Sequence, residues 1–190
     1  GFPGMPEYVG CIENEIDTPE IAEEYPVVLT TGGGFMPYHH SEHFQMQGIR
    51  YLYPDPYFSI NPALAEQLGI EYGDWCWIET RRGRIKMRAN VDNETHPNVV
   101  FAPRGWWFPE RDGSADLANP FGCLESNVNV LTSVDEEDCD PMGGSWANRG
   151  LMCKVYKCGE FDAEFTAEDA QFSIPGNAKT PGVSVMPSDQ

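Results

Sequence analysis

The sequence predicts a mainly-β (α+β) domain with a barrel-like arrangement, and three observations support this. Short apolar or alternating runs recur along the chain, whereas only one run carries clear helix signals. Three large loops separate these runs. Hydrophobic residues make up 41% of the 190 residues, which is enough to build a sizeable core. Together these features favour short strands closed around one core.

The elements follow in order along the chain. The first predicted strand is the apolar run Val27–Thr31. A short strand at residues 58–60 precedes the one predicted helix, residues 63–68. An Asn-Pro pair begins this helix, since asparagine caps helix N-termini and proline suits the first helical position. Gly69 ends the helix with a left-handed cap.

The remaining strands are predicted from alternation. Residues 75–80 and 84–91 form a hairpin, in whose second strand apolar residues alternate with basic and polar ones. Residues 99–101 and 151–157 are further strands. We also predict a strand within residues 124–132, where valines alternate with asparagines.

Composition divides the chain into three parts. Residues 1–25 hold Pro, Gly and acidic residues, and we expect a lead-in or a linker from an earlier domain. Residues 26–158 form the predicted domain. Residues 159–190 are predicted to be an acidic, poorly ordered tail. Since the chain has no initiator Met and no signal-peptide pattern, we expect a piece of a longer polypeptide.

Charge and cysteine usage exclude several classes of protein. A net charge of −18 disfavours binding to nucleic acid and to anionic membranes. No apolar run is long enough for a membrane-spanning helix. The six cysteines form no C-x-x-C pair, which argues against a zinc ribbon or a thioredoxin-like motif. We expect the cysteines to be mostly reduced, with Cys76 and Cys153 in the core.

The first candidate site is the loop after the strand Val27–Thr31. Three glycines follow the strand, and then comes a polar cluster that contains three histidines, a serine and a glutamate. Glycines let a ligand approach the backbone, and successive N–H groups can bind an anion. The alternative is a flexible connection after a core strand. On this stretch alone the flexible connection is the favoured interpretation.

Two further loops are candidates. Trp106 and Trp107 lie between a glycine and a proline, where they can pack in the core or stack on a flat heteroaromatic ligand. Their spacing favours core packing. Asn127 can donate and accept hydrogen bonds, which suits the edge of a purine or a pterin. The alternative for Asn127 is a turn-forming asparagine.

Four motifs occur in a fixed order and carry a resemblance. They are LTTGG with HSEH (residues 29–33 and 40–43), INPA with LGIEYGD and RGR (60–63, 68–74 and 82–84), GWWFPE (105–110) and ESNVNVLT (125–132). With them, residues 26–157 resemble the C-terminal cofactor-binding domain of molybdopterin oxidoreductases of the dimethyl sulfoxide reductase family. The HSEH, GWWFPE and ESNVNVLT motifs are most similar to those of the acetylene hydratase-like branch.

The resemblance implies a fold and a role. The fold is a six-stranded double-psi β-barrel of the aspartate decarboxylase-like type. The domain would bind molybdopterin guanine dinucleotide, which carries molybdenum or tungsten in the full enzyme. Its partners would be the upstream catalytic domains of the same polypeptide and an electron-transfer subunit. The fragment would hold no metal ligand and no catalytic residue, and its location, cytoplasmic or exported, would be that of the full-length enzyme.

The resemblance also implies site residues. The loop at residues 31–33 would lie against the phosphate or the pterin, and the HSEH motif would contact the pterin edge. One position departs from the family, because Gly33 stands where an arginine is common. The cofactor-binding residues carried over are Thr31, Gly32, Gly33, His40, Ser41, Trp106, Asn127 and Arg149.

Two other functions remain open from the sequence. One is a free-standing β-barrel module that binds a ligand or a partner without metal chemistry. The other is a zinc site built from His39, His40 and His43. His39 and His43 would meet only on a helix, and Pro37 makes a helix unfavourable there, so polar loop residues are the preferred interpretation.

Overall fold

The computed structural model describes residues 4–5, 10–111, 113–114, 117–140 and 143–159. Its centre is a closed barrel of six strands. The strands are β1 Val27–Thr31, β2 Tyr57–Ile60, β3 Trp75–Thr80, β4 Gly83–Val91, β5 Val99–Ala102 and β6 Arg149–Lys157. This confirms the predicted six-stranded, mainly-β barrel. The predicted tail lies outside the described residues, apart from Gly159.

The strands follow the order β1-β5-β2-β4-β3-β6 around the barrel. β1 pairs with β5 and β2 pairs with β4 in parallel, whereas the other four pairings are antiparallel. Parallel neighbours need long crossover connections, and the long loops of this chain supply them. The loops therefore leave the barrel at its ends, where they can form a site.

Three short α-helices accompany the barrel, namely α1 Pro19–Glu24, α2 Gln47–Leu52 and α3 Pro62–Leu68. The predicted helix is confirmed as α3. The side chain of Asn61 accepts a hydrogen bond from the Ala63 N–H, and Gly69 ends the helix at a φ of 67°. The sequence does not predict α1 and α2, because each is a short helix without a buried residue and therefore has no amphipathic pattern.

The strand predicted within residues 124–132 is wrong. A short 3-10 helix, Val128–Val130, stands there instead. The Asn127 side chain accepts a hydrogen bond from the Asn129 N–H at 3.1 Å, and this local bond competes with strand pairing. Val128 and Val130 are both buried, although they are two residues apart in a helical turn. Two further 3-10 helices span Pro120–Gly122 and Glu136–Asp138.

The barrel interior is apolar and shut off from solvent. Buried and half-buried residues alternate along β4, as the sequence predicted. Cys76 and Cys153 lie in the core as expected. Burial raises the pKa of the Cys76 thiol to about 12 and that of the Cys153 thiol well above its usual range. Both thiols are therefore protonated at neutral pH, which makes them unreactive.

In the hairpin of β3 and β4, basic side chains of β4 cover the Trp77 ring of β3. Trp77 lies on the opposite face of β3 from its buried neighbours, yet it is only 1% exposed. The Arg84 guanidinium lies 4.0 Å and the Lys86 ammonium 5.1 Å from the centre of a Trp77 ring. Cation–π contacts and long aliphatic stems thus bury this ring. The basic residues serve packing here.

Part of the lead-in is anchored to the barrel. Glu13 is 1% exposed, and its carboxylate accepts hydrogen bonds from Arg81 at 2.8 Å and from the Met152 N–H at 3.0 Å. Arg82 lies 2.7 Å from the same carboxylate. Residues near Glu13 therefore belong to the folded unit. No helix in the described part of the chain is long and apolar enough to cross a membrane.

Candidate functional site

The strand register brings several predicted residues to one end of the barrel, which we call the site end. β1 and β5 are parallel, so both finish there, with Thr31 opposite Ala102. β6 runs antiparallel to β1, and its first residue, Arg149, pairs with Thr30. The glycine loop (residues 32–34) after β1, the loop after β5 and the start of β6 therefore share this end.

The segment at residues 125–131 is anchored to β3 and β4. The Ser126 hydroxyl donates to the Lys86 carbonyl at 2.7 Å, and the Thr80 hydroxyl donates to the Leu131 carbonyl at 3.0 Å. Thr80 is the last residue of β3, and its neighbour Glu79 pairs with Lys154 in the middle of β6. Asn127 lies between these anchors. These bonds hold Asn127 beside β3 and β4, and its contact with the ligand of the glycine loop stays a prediction.

The glycine loop is held close to β5 and β6. The Thr31 hydroxyl donates to the Asn148 carbonyl at 2.5 Å, so this side chain ties the start of the loop to the residue before β6. Gly32 has a φ of 101°, which only glycine adopts at little cost. A Cβ at Gly33 would overlap the Phe101 ring. The loop therefore presents backbone without side chains where the strands end, with Gly32 and Gly33 half-buried and Gly34 exposed.

The loop after β5 joins the glycine loop to the histidine cluster (residues 39–43). The Arg104 N–H donates to the Gly33 carbonyl at 2.8 Å, and the Arg104 guanidinium bonds to His40 Nδ1 at 2.9 Å. The Trp107 indole N–H donates to the Ser41 carbonyl at 2.8 Å. The structure thus brings Gly33, His40 and Ser41 together. Sequence pattern alone does not single out Arg104, although this residue directly precedes the GWWFPE motif.

A left-handed glycine permits this junction. Gly105 has a φ of 91°, and a Cβ built on it would lie 3.4 Å from the Ser41 Cβ. A larger residue would strain the backbone and crowd the serine. The glycine of the GWWFPE motif therefore allows the close approach of this loop to Ser41.

Trp106 packs against the aromatic side chains that flank the histidine cluster. It is 1% exposed, and its ring lies 5.0 Å from the Phe35 ring, 5.8 Å from the Tyr38 ring and 4.8 Å from the Phe44 ring. This confirms the core packing that its spacing favoured. Its indole N–H is buried and has no hydrogen-bond partner within the described residues. A contact between Trp106 and a cofactor stays a prediction.

Asn127 and Arg149 differ in accessibility. Asn127 is half-buried, and its carbonyl oxygen caps the turn, which confirms the turn-forming alternative. Arg149 is exposed, and its guanidinium nitrogens lie 3.8 Å from the point where a Cβ on Gly32 would stand. Arg149 therefore lines the glycine loop directly. Cofactor contacts from both side chains stay predictions.

The histidine cluster does not have the geometry of a zinc site. His39 Nδ1 lies 3.6 Å from a Glu42 carboxylate oxygen, while His40 Nδ1 faces Arg104. His40 and His43 have φ angles of 53° and 72°, which are typical of turns and exclude one helical face. Among the residues that the structure describes, no group of three or more His, Cys, Asp or Glu side chains could hold a metal ion.

The donor set at the site end suits a phosphate ester joined to a flat ring. The backbone of the glycine loop, the exposed arginines Arg104 and Arg149, and His40 lie at this end, although the chain carries a net charge of −18. Arginine prefers phosphate and stacks on planar groups. The barrel and this end define a class, namely domains that bind a nucleotide-type cofactor in loops at one end of a barrel.

Comparison with known proteins gives the family. The family model described as "Molydopterin dinucleotide binding domain" matches residues 28–148, which is more than half of the chain. The chain therefore belongs to the molydopterin dinucleotide-binding domain family. The match begins in β1 and ends at the residue before β6, so it includes every loop of the site end.

Similar proteins are much longer than this chain. Acetylene hydratase from Syntrophotalea acetylenica is 33% identical over 159 residues, which cover 83% of this chain and 22% of the hydratase. Dopamine dehydroxylase from Eggerthella lenta is 34% identical over 164 residues, 86% of this chain and 15% of that protein. The solved structure of acetylene hydratase from Pelobacter acetylenicus matches with a TM-score of 0.76, at 32% identity over 81% of this chain and 21% of that chain.

Gly33 provides a sharp test of the glycine loop. We expect Gly33→Ala to push the loop away from Phe101 and to destabilise the domain by about 1–3 kcal/mol, because the new methyl group has no space. Cofactor content of the full-length protein should fall as well. Thermal melting and analysis of bound guanine nucleotide would measure both effects.

The neighbouring glycine is a matched control. A Cβ at Gly34 meets nothing within 4 Å, so Gly34→Ala should leave melting and cofactor content nearly unchanged. Equal behaviour of the two variants would contradict the tight approach of Gly33 to Phe101.

Proposed function

We propose that this chain is the C-terminal cofactor-binding part of a larger molybdenum or tungsten enzyme. It binds and orients molybdopterin guanine dinucleotide, and the catalytic residues and metal ligands belong to other parts of the polypeptide. The observation that carries the proposal is the site end, where the glycine loop, the histidine cluster and Arg149 converge. The small share of each relative that this chain spans supports a longer protein.

The residues of this chain would each have a separate task. The backbone N–H groups of residues 32–34 would bind a phosphate or the pterin, and Thr31 would keep that loop seated through its bond to the Asn148 carbonyl. Arg149 would neutralise negative charge beside Gly32. When bound, the dinucleotide supplies the metal centre at which the reaction of the full enzyme takes place.

The reaction and partners of the full protein follow from its relatives only as proposals. One relative is named a hydratase and another a dehydroxylase, so we infer hydration, hydroxyl transfer or oxygen-atom transfer at the metal. The catalytic domains of the same polypeptide would cover the site end. An electron-transfer subunit would be a further partner, and the location, cytoplasmic or exported, would be that of the full enzyme.

Substitutions of Asn127 test the placement of the site. Asn127→Ala should lower the cofactor content of the full-length enzyme with little loss of fold, since it removes one half-buried amide and one turn bond. Asn127→Asp keeps the oxygen that caps the Asn129 N–H but removes the amide donor. We therefore expect the Asp variant to lose cofactor too. Metal and guanine nucleotide content would be measured.

Asn129 is the matched control for this prediction. It lies in the same turn with an exposed side chain, and Asn129→Ala keeps the backbone N–H that Asn127 caps. Its cofactor content should stay near that of the unsubstituted enzyme. Unchanged metal and nucleotide content in both Asn127 variants would count against the placement.

A further inference from the structure

The glycine loop has no charged side chain of its own, and two of its residues, Gly32 and Gly33, do not accommodate one. Phe101, on the adjacent strand β5, fills the space where a Cβ of Gly33 would stand. Gly32 has a left-handed backbone that disfavours any side chain. A ligand phosphate at this loop therefore needs its positive charge from neighbouring elements.

Arg104 is the residue that the fold places there. It follows β5, which ends beside the end of β1, and its N–H donates to the Gly33 carbonyl at 2.8 Å. The backbone bond fixes the distance between this arginine and the glycine loop. Arg104 itself is exposed, so a ligand can reach its guanidinium.

Two arginines at the site end lack a carboxylate partner. Within the described residues, neither Arg104 nor Arg149 forms an ion pair, although the chain has 30 acidic residues. By contrast, Arg50 pairs with Glu110 at 2.8 Å and Arg88 pairs with Asp55 at 3.0 Å. An exposed arginine pair without carboxylates in an acidic protein is typical of an anion site.

The bond to His40 orients a further donor. A guanidinium has only donors, so His40 Nδ1 must accept the hydrogen bond at 2.9 Å. The proton of the neutral ring then resides on Nε2, which is thereby a donor. Arg104 thus contributes its own N–H groups and also sets the tautomer of the histidine beside it.

We infer that Arg104 is a phosphate-binding residue of the dinucleotide site and supplies the positive charge that Gly32 and Gly33 cannot carry. Arg104 binds the phosphate oxygens together with Arg149, which lies on the other side of the loop. The Nε2–H of His40 donates a hydrogen bond to the same ligand. This inference rests on the proposed function and adds a specific residue to it.

The experiment uses the full-length enzyme with its bound cofactor. Arg104→Gln removes the charge and keeps the backbone bond to Gly33, whereas Arg104→Lys keeps the charge without the planar fork. The rate of guanine nucleotide release is measured for each variant at several KCl concentrations. Lys157→Ala is the matched control, because Lys157 ends β6 at the far end of the barrel and pairs with Asp74 there.

We expect release from the Gln variant to be about tenfold to a hundredfold faster, with a weaker dependence on salt. The Lys variant should release nucleotide at an intermediate rate with the original salt dependence, and the control should match the unsubstituted enzyme. A purely structural role would speed release without changing its salt dependence, and this result would overturn the inference. So would release from the Gln variant as slow as from the unsubstituted enzyme.

The proposed function has a separate point of failure in the same experiment. If the unsubstituted full-length protein contains no guanine nucleotide, the proposed function is wrong, and the inference falls with it. If that protein contains the nucleotide and Arg104→Gln releases it normally, only the inference is wrong.

Discussion

Replacement of Trp106 by alanine should lower the free energy of unfolding of this domain by about 3–5 kcal/mol. The ring is 1% exposed and contacts the rings of Phe35 and Phe44 at 5.0 Å and 4.8 Å, so its loss opens a large cavity beneath the histidine cluster. Native-state hydrogen exchange of β1 and β5 in the full-length protein would measure this change. Trp146→Ala is the control, because that ring is 47% exposed.

Phenylalanine at position 106 separates packing from ligand binding. The indole N–H has no acceptor within the described residues, so Trp106→Phe loses no internal hydrogen bond and should cost less than the alanine variant. If the cofactor accepts a hydrogen bond from this indole, the Phe variant should lose cofactor while it keeps most of its stability. Similar exchange in the alanine variant and in Trp146→Ala would contradict the role of Trp106 as the core of this cluster.

Replacement of Glu13 by glutamine should destabilise the barrel by about 3 kcal/mol. The carboxylate has no exposed surface and faces Arg81 at 2.8 Å and Arg82 at 2.7 Å. Neutralising it leaves the two guanidinium groups, one of them only 13% exposed, with Asp138 as their shared carboxylate partner, at 3.8 Å from Arg81 and 3.3 Å from Arg82. The bond to the Met152 N–H also weakens, so protection of β6 against hydrogen exchange should fall most.

A nearby glutamate gives the control for Glu13. Glu15 is exposed, and its nearest polar partner is the Asn98 amide at 3.4 Å. Glu15→Gln should therefore change stability by less than about 0.5 kcal/mol. Equal effects of the two substitutions would show that the lead-in is not anchored through Glu13.

Much of the barrel was predictable, since strands with one buried face carry their own pattern. β4 alternates along its length, and α3 has a capping asparagine at its start and a glycine at its end. The segment around Val128 was predicted wrongly because its alternation is typical of a strand. The local bond from the Asn129 N–H to Asn127 made a turn instead, and sequence pattern does not reveal which of the two wins.

The sequence marked most residues of the site but did not reveal their contacts. Glycines, histidines and tryptophans mark the loops, but only the barrel register shows that the loops after β1 and β5 meet at one end. Arg104 escaped notice because its importance depends on the backbone bond to Gly33 and the contact with His40. The buried charge of Glu13 was equally hidden, because its arginine partners are more than sixty residues away in the sequence.

The most direct test of the central claim is analysis of the native polypeptide that contains this chain. It would be isolated with an antibody against the barrel, sized on a denaturing gel, and analysed for guanine nucleotide, molybdenum and tungsten. We expect a band several times larger than 21.3 kDa, with guanine nucleotide and one of the two metals bound. A band of 21.3 kDa without guanine nucleotide would contradict it and would indicate a free-standing binding module.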